Sequence, residues 1–510
     1  MMAPAWAQGT AARQPDEPMA RGLPTLGDAG IMTPLQERKL GDQIARELYR
    51  DPTYLDDPIL GEYVDGIFGS LRVGARARGE LPPELDERYA WQVLLGRDGT
   101  INAFALPGGY FGLHTGLLGA VASRDELASV LGHEMTHVTQ RHIPRLLSRQ
   151  DRQAPLMLAA MVLGAIAASR NPQIGAALSV GGQAAMIQQQ LNFSRDMERE
   201  ADRIGYGIMT QAGFAPEGFV SMFQKLQNAS RINDNGDWPY LRGHPLTTQR
   251  IADMQQRQQN MPRHAAPTPD LETPLIAARA RVLGRPGVDV LRGWAGEPDQ
   301  RGFAQQPLAQ RAGALYAAAL ANAGLRDLPR AQAQAAQLAL AVAGDARATA
   351  QARLLQAELA LQAGQPARVL ELLPTPARPA SAAPQSQAGR AALLLRAQAQ
   401  TRSAQAAEAT SALQTWLSDH PRDASAWQVM AAACAAQGQT LRQLRAEGEV
   451  QLARMDYAGA VDRWRAAQDF SRQQRGGGSA DLIEASIVDT RLRQAQELLR
   501  QQERDEKEQR

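Results

Sequence analysis

Hydrophobic and polar positions follow two rhythms along this chain, and the change between them predicts its architecture. Thr33-Pro34-Leu35-Gln36 combines an N-cap, a first-turn proline and a capping-box partner, which predicts a helix to about Tyr49. Asp57-Pro58 opens another, carried through Ile67 and Leu71. From Tyr89 to Leu95 the pattern alternates as a strand does. Arg97-Asp98-Gly99 is expected to turn it, with Thr100 to Leu106 returning as its hairpin partner. Pro107-Gly108-Gly109 breaks the ladder, and Tyr110 to His114 can form a third short strand. From Ser123, with Glu126 three residues on, the period becomes helical and remains so.

Breaks in this pattern set the expected domains. Residues 1–30 are rich in Pro and Gly without periodicity and read as a mobile N-terminus. Residues 31–262 form a first domain, and 263–275 a linker rich in Pro and Ala. Beyond it Ala, Leu, Gln and Arg dominate, and helix pairs recur at a loose 34-residue-like spacing across 276–475. The clearest set is Ala426 to Ala432, then Gly438, then Glu449 to Met455 with Asp456-Tyr457; Leu308 to Gly324 and Ala352 to Gly364 read as earlier units. Such an array leaves a concave surface for partners. Pro374 to Ala388 interrupts it as an irregular loop, and residues 476–510 read as a Gly-rich hinge releasing a charged helix. The expected class is mainly α: an α+β domain with a small β-sheet, followed by an all-α tetratricopeptide-like repeat domain.

Composition narrows the function. With 510 residues, 44% hydrophobic and 21% charged, wholesale disorder is excluded. A net charge of +2 lacks the basic excess of a nucleic-acid binder, so no nucleic acid is expected as a partner. The single cysteine, Cys434, excludes an internal disulfide framework and a multi-cysteine metal cluster. No segment reaches the roughly 18–20 uninterrupted apolar residues of a spanning helix. Pro155 to Ala168 and Ile174 to Ile187 are shorter apolar runs, expected as core helices over a cleft, with a shallow dip into lipid as the rival reading. Ala5-x-Ala7 has the small-x-small pattern of a signal-peptidase site, so the first residues read as a signal-peptide remnant and the compartment as the bacterial periplasm.

The chemistry sits in the first half. His133-Glu134-Met135-Thr136-His137 is an H-E-x-x-H motif in a helical run, and its two imidazoles share a face from which both can reach one ion. Chance supplies on the order of 0.005 such matches in a chain of this composition. Glu134 lies one residue along, close enough to polarise a metal-bound water. His142, five positions after His137, is expected as a helix-end surface residue off that face. Two histidines leave a zinc site one protein ligand short. Arg195 to Asp202 supplies carboxylates on a predicted helix, and spacing alone admits Glu198 or Glu200 as the third ligand. The partner of Glu198 at i+4, Asp202, can accept the remaining N–H of a ligand histidine. The Asn102-Ala103-Phe104-Ala105 strand is expected as an exposed edge to which an extended substrate could add.

His133-Glu134-x-x-His137 with the later Glu198-x-x-x-Asp202 resembles the gluzincin metallopeptidases of the CAAX prenyl protease type. Residues 33 to about 260 resemble their soluble periplasmic branch, through Asn102 to Gly109, Arg195 to Asp202 and His244-Pro245. The resemblance implies one zinc ion per chain, with Glu198 as third ligand, Glu134 as general base and Asp202 orienting a ligand histidine. It brings His244 and Arg250 to the zinc, where they stabilise an oxyanion or where His244 takes the fourth position as a latch. It also implies a periplasmic endopeptidase, soluble or in peripheral membrane contact, acting in outer-membrane protein quality control. Unfolded or misassembled envelope proteins are the implied clients and the outer-membrane beta-barrel assembly machinery the implied partner. The rival class is a chaperone or assembly adaptor whose protease site is largely latent.

Overall fold

Thr33 caps the first helix: its backbone N–H donates to Gln36 Oε1 at 2.8 Å and its Oγ1 accepts from the Gln36 backbone at 3.3 Å. The structure, a computed structural model, describes residues 32–147, 194–232, 239–259, 270–375, 389–473 and 479–508. The expected N-terminal remnant, the apolar runs within 155–187, the loop to Ala388 (from residue 376 on) and the Gly-rich hinge lie outside the described residues.

Helix α1 (Pro34–Arg50) leads through β1 (Tyr54–Leu55) to α2 (Pro58–Ala77), which Asp57 caps by accepting from Leu60 N–H at 2.9 Å. After α3 (Pro83–Arg88) come β2 (Gln92–Gly96), β3 (Ala103–Leu106) and β4 (Tyr110–His114), in a four-stranded sheet ordered β1-β2-β4-β3. The expected hairpin between β2 and β3 does not form. Strand β2 runs parallel to β4, with Gln92 opposite Tyr110, while β3 pairs with β4 antiparallel and lies at the edge. The Arg97–Gly99 segment is held open instead of turning tightly. Asp98 O accepts from Gly116 N at 2.8 Å and Thr115 Oγ1 at 2.9 Å, so the loop is tied to the helix after β4. The tight reversal falls at Gly108 and Gly109, whose φ values of 72° and 79° suit glycine.

Helix α4 (Thr115–Ala120) precedes α5 (Arg124–Thr139), capped by Ser123, which accepts from Glu126 N–H at 3.2 Å. Helix α5 is buried from Glu126 to Thr139, so it runs through the core of the first domain. Short α6 (His142–Leu147) follows, then α7 (Arg195–Gln211), α8 (Glu217–Ile232), α9 (Pro239–Gly243) and α10 (Thr248–Gln259). Helix α7 crosses α5 glycine to glycine. A Cβ on Gly205 would lie 2.9 Å from both Gly132 O and His133 N, so no other residue lets the two backbones touch there.

The expected linker ends early, because α11 (Glu272–Leu283) starts inside it. Asp270 accepts from the backbones of Glu272 and Thr273 and fixes that start. Ile276 and Ala280 of α11 enter the first domain's core, whereas Leu275 and Ala278 enter the core of the next helices. Arg279 forks onto Asp57, Nε to Oδ1 at 2.8 Å and Nη2 to Oδ2 at 2.6 Å, and reaches Glu358 at 2.7 Å. After α12 (Val288–Gly296) follow α13 (Leu308–Gly324), α14 (Leu328–Ala341), α15 (Ala346–Gln362), α16 (Pro366–Leu372) and α17 (Arg390–Arg402). Then come α18 (Ala406–Asp419), α19 (Ala424–Ala436), α20 (Thr440–Ala453), α21 (Tyr457–Gln473) and α22 (Ser479–Glu508). Each packs chiefly on its sequence neighbours, and Arg390 ties this series back to the first domain through Asp56 at 2.9 Å. The described residues are thus mainly helical, with one small sheet in the first half. Among the described residues no helix is long and apolar enough to cross a membrane.

Candidate metal centre

The α5–α7 crossing sets His133 and His137 against Glu198, and the turn after α9 brings His244 onto the same point. One ligand atom from each of these four buried residues lies within 4.8 Å of all the others. His133 Nε2 is 3.0 Å from His137 Nε2 and 3.2 Å from His244 Nδ1. Glu198 Oε1 is 3.0 Å from His244 Nδ1 and 3.5 Å from His137 Nε2, and its Oε2 is 3.5 Å from His133 Nε2. A tetrahedron of metal–ligand bonds of about 2.0–2.1 Å has edges of about 3.3–3.4 Å, so these separations suit one small divalent ion.

The protons argue the same way. Asp202 Oδ1 lies 3.0 Å from His133 Nδ1, which makes that nitrogen the donor and turns Nε2 toward its neighbours. Burial, and then the charge of His133, hold His137 well below its ordinary pKa. A proton on His133 Nε2 bridges these close contacts, and a divalent cation can take the place of that proton. Burial opposes charge on His133, but Glu198 and Asp202 outweigh it and push the pKa up to about 10. Positive charge is therefore stabilised here. Glu198 is held well below the carboxylate range despite burial, by His244 and His133. These residues fit a divalent metal.

Glu134 borders the cluster. Both its oxygens are buried without a hydrogen-bond partner, and Oε1 lies 3.4 Å from His244 Nε2. Burial raises its pKa against the pull of His244 and His133. A carboxylate so placed gains by holding a proton. His244 itself is 5% exposed and stacks on Tyr240 with ring centroids 4.7 Å apart. Its backbone N–H donates to Tyr240 O at 2.9 Å, and Tyr240 N–H donates to Ile101 O, just before β3.

Arg250 is turned toward the carboxylates of α7. Its Nε and Nη2 pair with Asp202 at 2.6 and 2.7 Å, and its Nη1 reaches Pro245 O and Glu198 Oε2, each at 2.8 Å. The fork points at carboxylates, holding the groups that hold the imidazoles.

His142 is also misread by sequence reasoning. It is buried, its Nδ1 2.9 Å from His137 Nδ1 and its Nε2 3.0 Å from Glu200 Oε2. The i+5 argument assumes a continuous helix, but α5 ends at Thr139 and Arg141 adopts a φ of 52°, which swings His142 under His137. Arg141 is itself held by Glu37 Oε1 at 2.8 Å. The readable signal was the polar Thr139-Gln140-Arg141 run breaking the apolar period. Glu200, the alternative ligand by spacing, faces this second histidine, with Arg145 Nη1 3.2 Å from the same oxygen.

Of the expected substrate strand, Asn102 O accepts from His114 N–H at 3.0 Å, Ala103 is buried, and Phe104 and Ala105 are half-buried. Phe104 covers Gly112 of β4, where a Cβ would come within 2.1 Å of its ring. Strand β3 packs on α5, and its second edge pairs with no strand among the described residues.

Residues 80–258 match peptidase family M48. The chain is 35% identical over 271 residues to the putative beta-barrel assembly-enhancing protease of Vibrio cholerae, covering 52% of this chain and 53% of that one. It is 32% identical over 265 residues to the beta-barrel assembly-enhancing protease of Escherichia coli, 51% and 52% of the two chains. A third relative is the mitochondrial metalloendopeptidase OMA1 of Saccharomyces cerevisiae, 28% identical over 196 residues, 38% of this chain and 54% of that one. The chain spans about half the length of the curated relatives it matches.

Proposed function

We propose that this chain, whose residues 80–258 match peptidase family M48, is a zinc-dependent endopeptidase of the bacterial periplasm acting on misassembled outer-membrane proteins. The observation that carries the reading is the convergence of His133, His137 and Glu198 ligand atoms beside the buried Glu134 carboxylate, which His244 Nε2 approaches at 3.4 Å. His133, His137 and Glu198 would hold the ion, and nitrogen and oxygen donors in this number suit zinc. Zinc supplies a Lewis acid that acidifies water and polarises a scissile carbonyl. Glu134 takes the proton of the attacking water and delivers it to the leaving amine, a task matched to a carboxylate of raised pKa. Asp202 fixes the His133 tautomer, and Arg250 steadies Asp202 and Glu198. An extended client adds to the β3 edge at Asn102 to Ala105 through main-chain hydrogen bonds, which demands little of its sequence. The relatives' names support an envelope role, and the helix pairs after α12 support tetratricopeptide-like recruitment of clients or of the beta-barrel assembly machinery.

One observation favours a restrained site. His244 Nδ1 lies 3.0 Å from Glu198 and 3.2 Å from His133, the place an attacking water would need. His244 is then a latch, and an adaptor with a latent protease site is the second reading. The Glu134→Gln chain, expressed in a cell envelope, tests both. A peptidase traps outer-membrane proteins uncut and loses its phenotype, whereas an adaptor keeps the phenotype intact.

A further inference from the structure

Behind His137, on its Nδ1 side, runs a chain of three more polar groups. His137 Nδ1 meets His142 Nδ1 at 2.9 Å, His142 Nε2 meets Glu200 Oε2 at 3.0 Å, and Arg145 Nη1 lies 3.2 Å from that same oxygen. His142 is fully buried, while Glu200 is about one-third exposed, so the chain runs from the core towards solvent. Two imidazole nitrogens at 2.9 Å share one proton between them. If His137 uses Nε2 as a ligand, Nδ1 carries that proton and His142 Nδ1 must accept it. The proton of His142 then sits on Nε2 and donates to Glu200, whose charge Arg145 balances.

We propose that His142, held by Glu200, is a positioning residue that fixes the tautomer and ring orientation of His137. The inference rests on the metallopeptidase reading. It assigns unlike supports to the two histidine ligands: His133 has a carboxylate directly behind it, and His137 has a carboxylate relayed through a second imidazole. The relay also gives Glu198 and Glu200, two residues apart on α7, separate tasks on the two sides of His137. The backbone supports this specialisation. The left-handed turn at Arg141, clamped to Glu37, places His142 where a continuing helix would not.

The test uses the full chain loaded with zinc or cobalt, with metal affinity measured by chelator competition and the cobalt absorption spectrum as a second readout. His142→Leu removes the acceptor, and zinc affinity should fall about 10- to 100-fold with altered cobalt bands. His142→Asn carries an oxygen near the Nδ1 position and should restore affinity to within about 3-fold of the parent. Glu200→Ala, at a partly exposed site, should weaken affinity less than His142→Leu, and Glu198→Ala should empty the site. A folded His142→Leu chain with parental affinity and spectrum overturns the inference. Should that variant not fold, an unchanged cobalt spectrum in Glu200→Ala overturns it instead. A parent chain that binds neither metal brings down the metallopeptidase reading and this inference with it.

Discussion

Gly132 and Gly205 face each other where α5 crosses α7, with room for no Cβ between Gly205 and the carbonyl of Gly132. The contact lies one residue before His133 and seven after Glu198, so the spacing of these two helices is the spacing of the site. Gly205→Ala should separate the helices by a few tenths of an ångström and cost roughly 1–3 kcal/mol, the usual scale for overpacking. Zinc affinity should fall with it. Thermal melting and metal content of the purified variant measure both, and a parental metal content would show that the crossing does not set the site.

Arg250 supplies two separable forecasts. Removing it leaves the buried Asp202 and Glu198, four residues apart, with imidazole partners but no guanidinium, which costs up to about 3–5 kcal/mol on the scale of broken buried ion pairs. Arg250→Lys should recover only part of this, because an ammonium cannot fork onto Asp202. Denaturant unfolding of both variants gives the numbers. Parental stability with lost turnover would mean that Arg250 serves the transition state instead.

His244→Ala should raise self-cleavage and general proteolysis while zinc stays bound, because the Tyr240-stacked imidazole would no longer fill the fourth position. A fall in turnover of about 10²- to 10³-fold would instead mark His244 as a donor to the oxyanion. Cleavage of an unfolded reporter protein, followed alongside zinc content, separates the two outcomes.

Glu134→Gln should keep the metal and lose cleavage by at least about 10²-fold, the lower range for losing general acid–base catalysis. Loss of metal in this variant would place Glu134 among the ligands.

The Asp57–Arg279 pair should make stability fall in acid. Burial alone would raise the Asp57 pKa, but Arg279 and the backbone N–H groups at the start of α2 outweigh it and lower the value from 3.8. A depressed carboxyl stabilises the fold above the unfolded pKa and loses that contribution as pH falls through the folded one. Asp57→Asn should therefore cost several kcal/mol near neutrality, on the order of 3–5. The gap from the parent should close progressively below about pH 4. Urea unfolding of both chains at pH 7, 4 and 3 checks the sign.

What the sequence made legible was local. Thr33, Asp57 and Ser123 all cap helices where their patterns predict starts, because capping needs only a few consecutive residues. The His133–His137 face follows from helical period alone. Strand pairing did not, since the choice of β4 over β3 as partner of β2 depends on how Asp98 is tied to Thr115 and Gly116, contacts that alternation cannot express. His142 was hidden by one residue with positive φ. Arg250 was brought near the site by resemblance, yet which way its fork points is decided by Asp202, 48 positions earlier. The end of the linker was obscured because Ala-rich helix and Ala-rich loop look alike until Asp270 is seen capping Thr273.

Helix α11 has a mechanical consequence. Its alternate residues serve two cores, Ile276 and Ala280 on one side and Leu275 and Ala278 on the other, while Arg279 clamps Asp57 and Glu358 together. A hinge needs a place where few contacts cross, and α11 is the opposite. Helix α13 packs on this helix, and Arg279 joins α15 to the cap of α2 through Glu358 and Asp57. The first helices of the series therefore share one packing element with the body that carries His133, so a substitution in α11 should be felt in both cores.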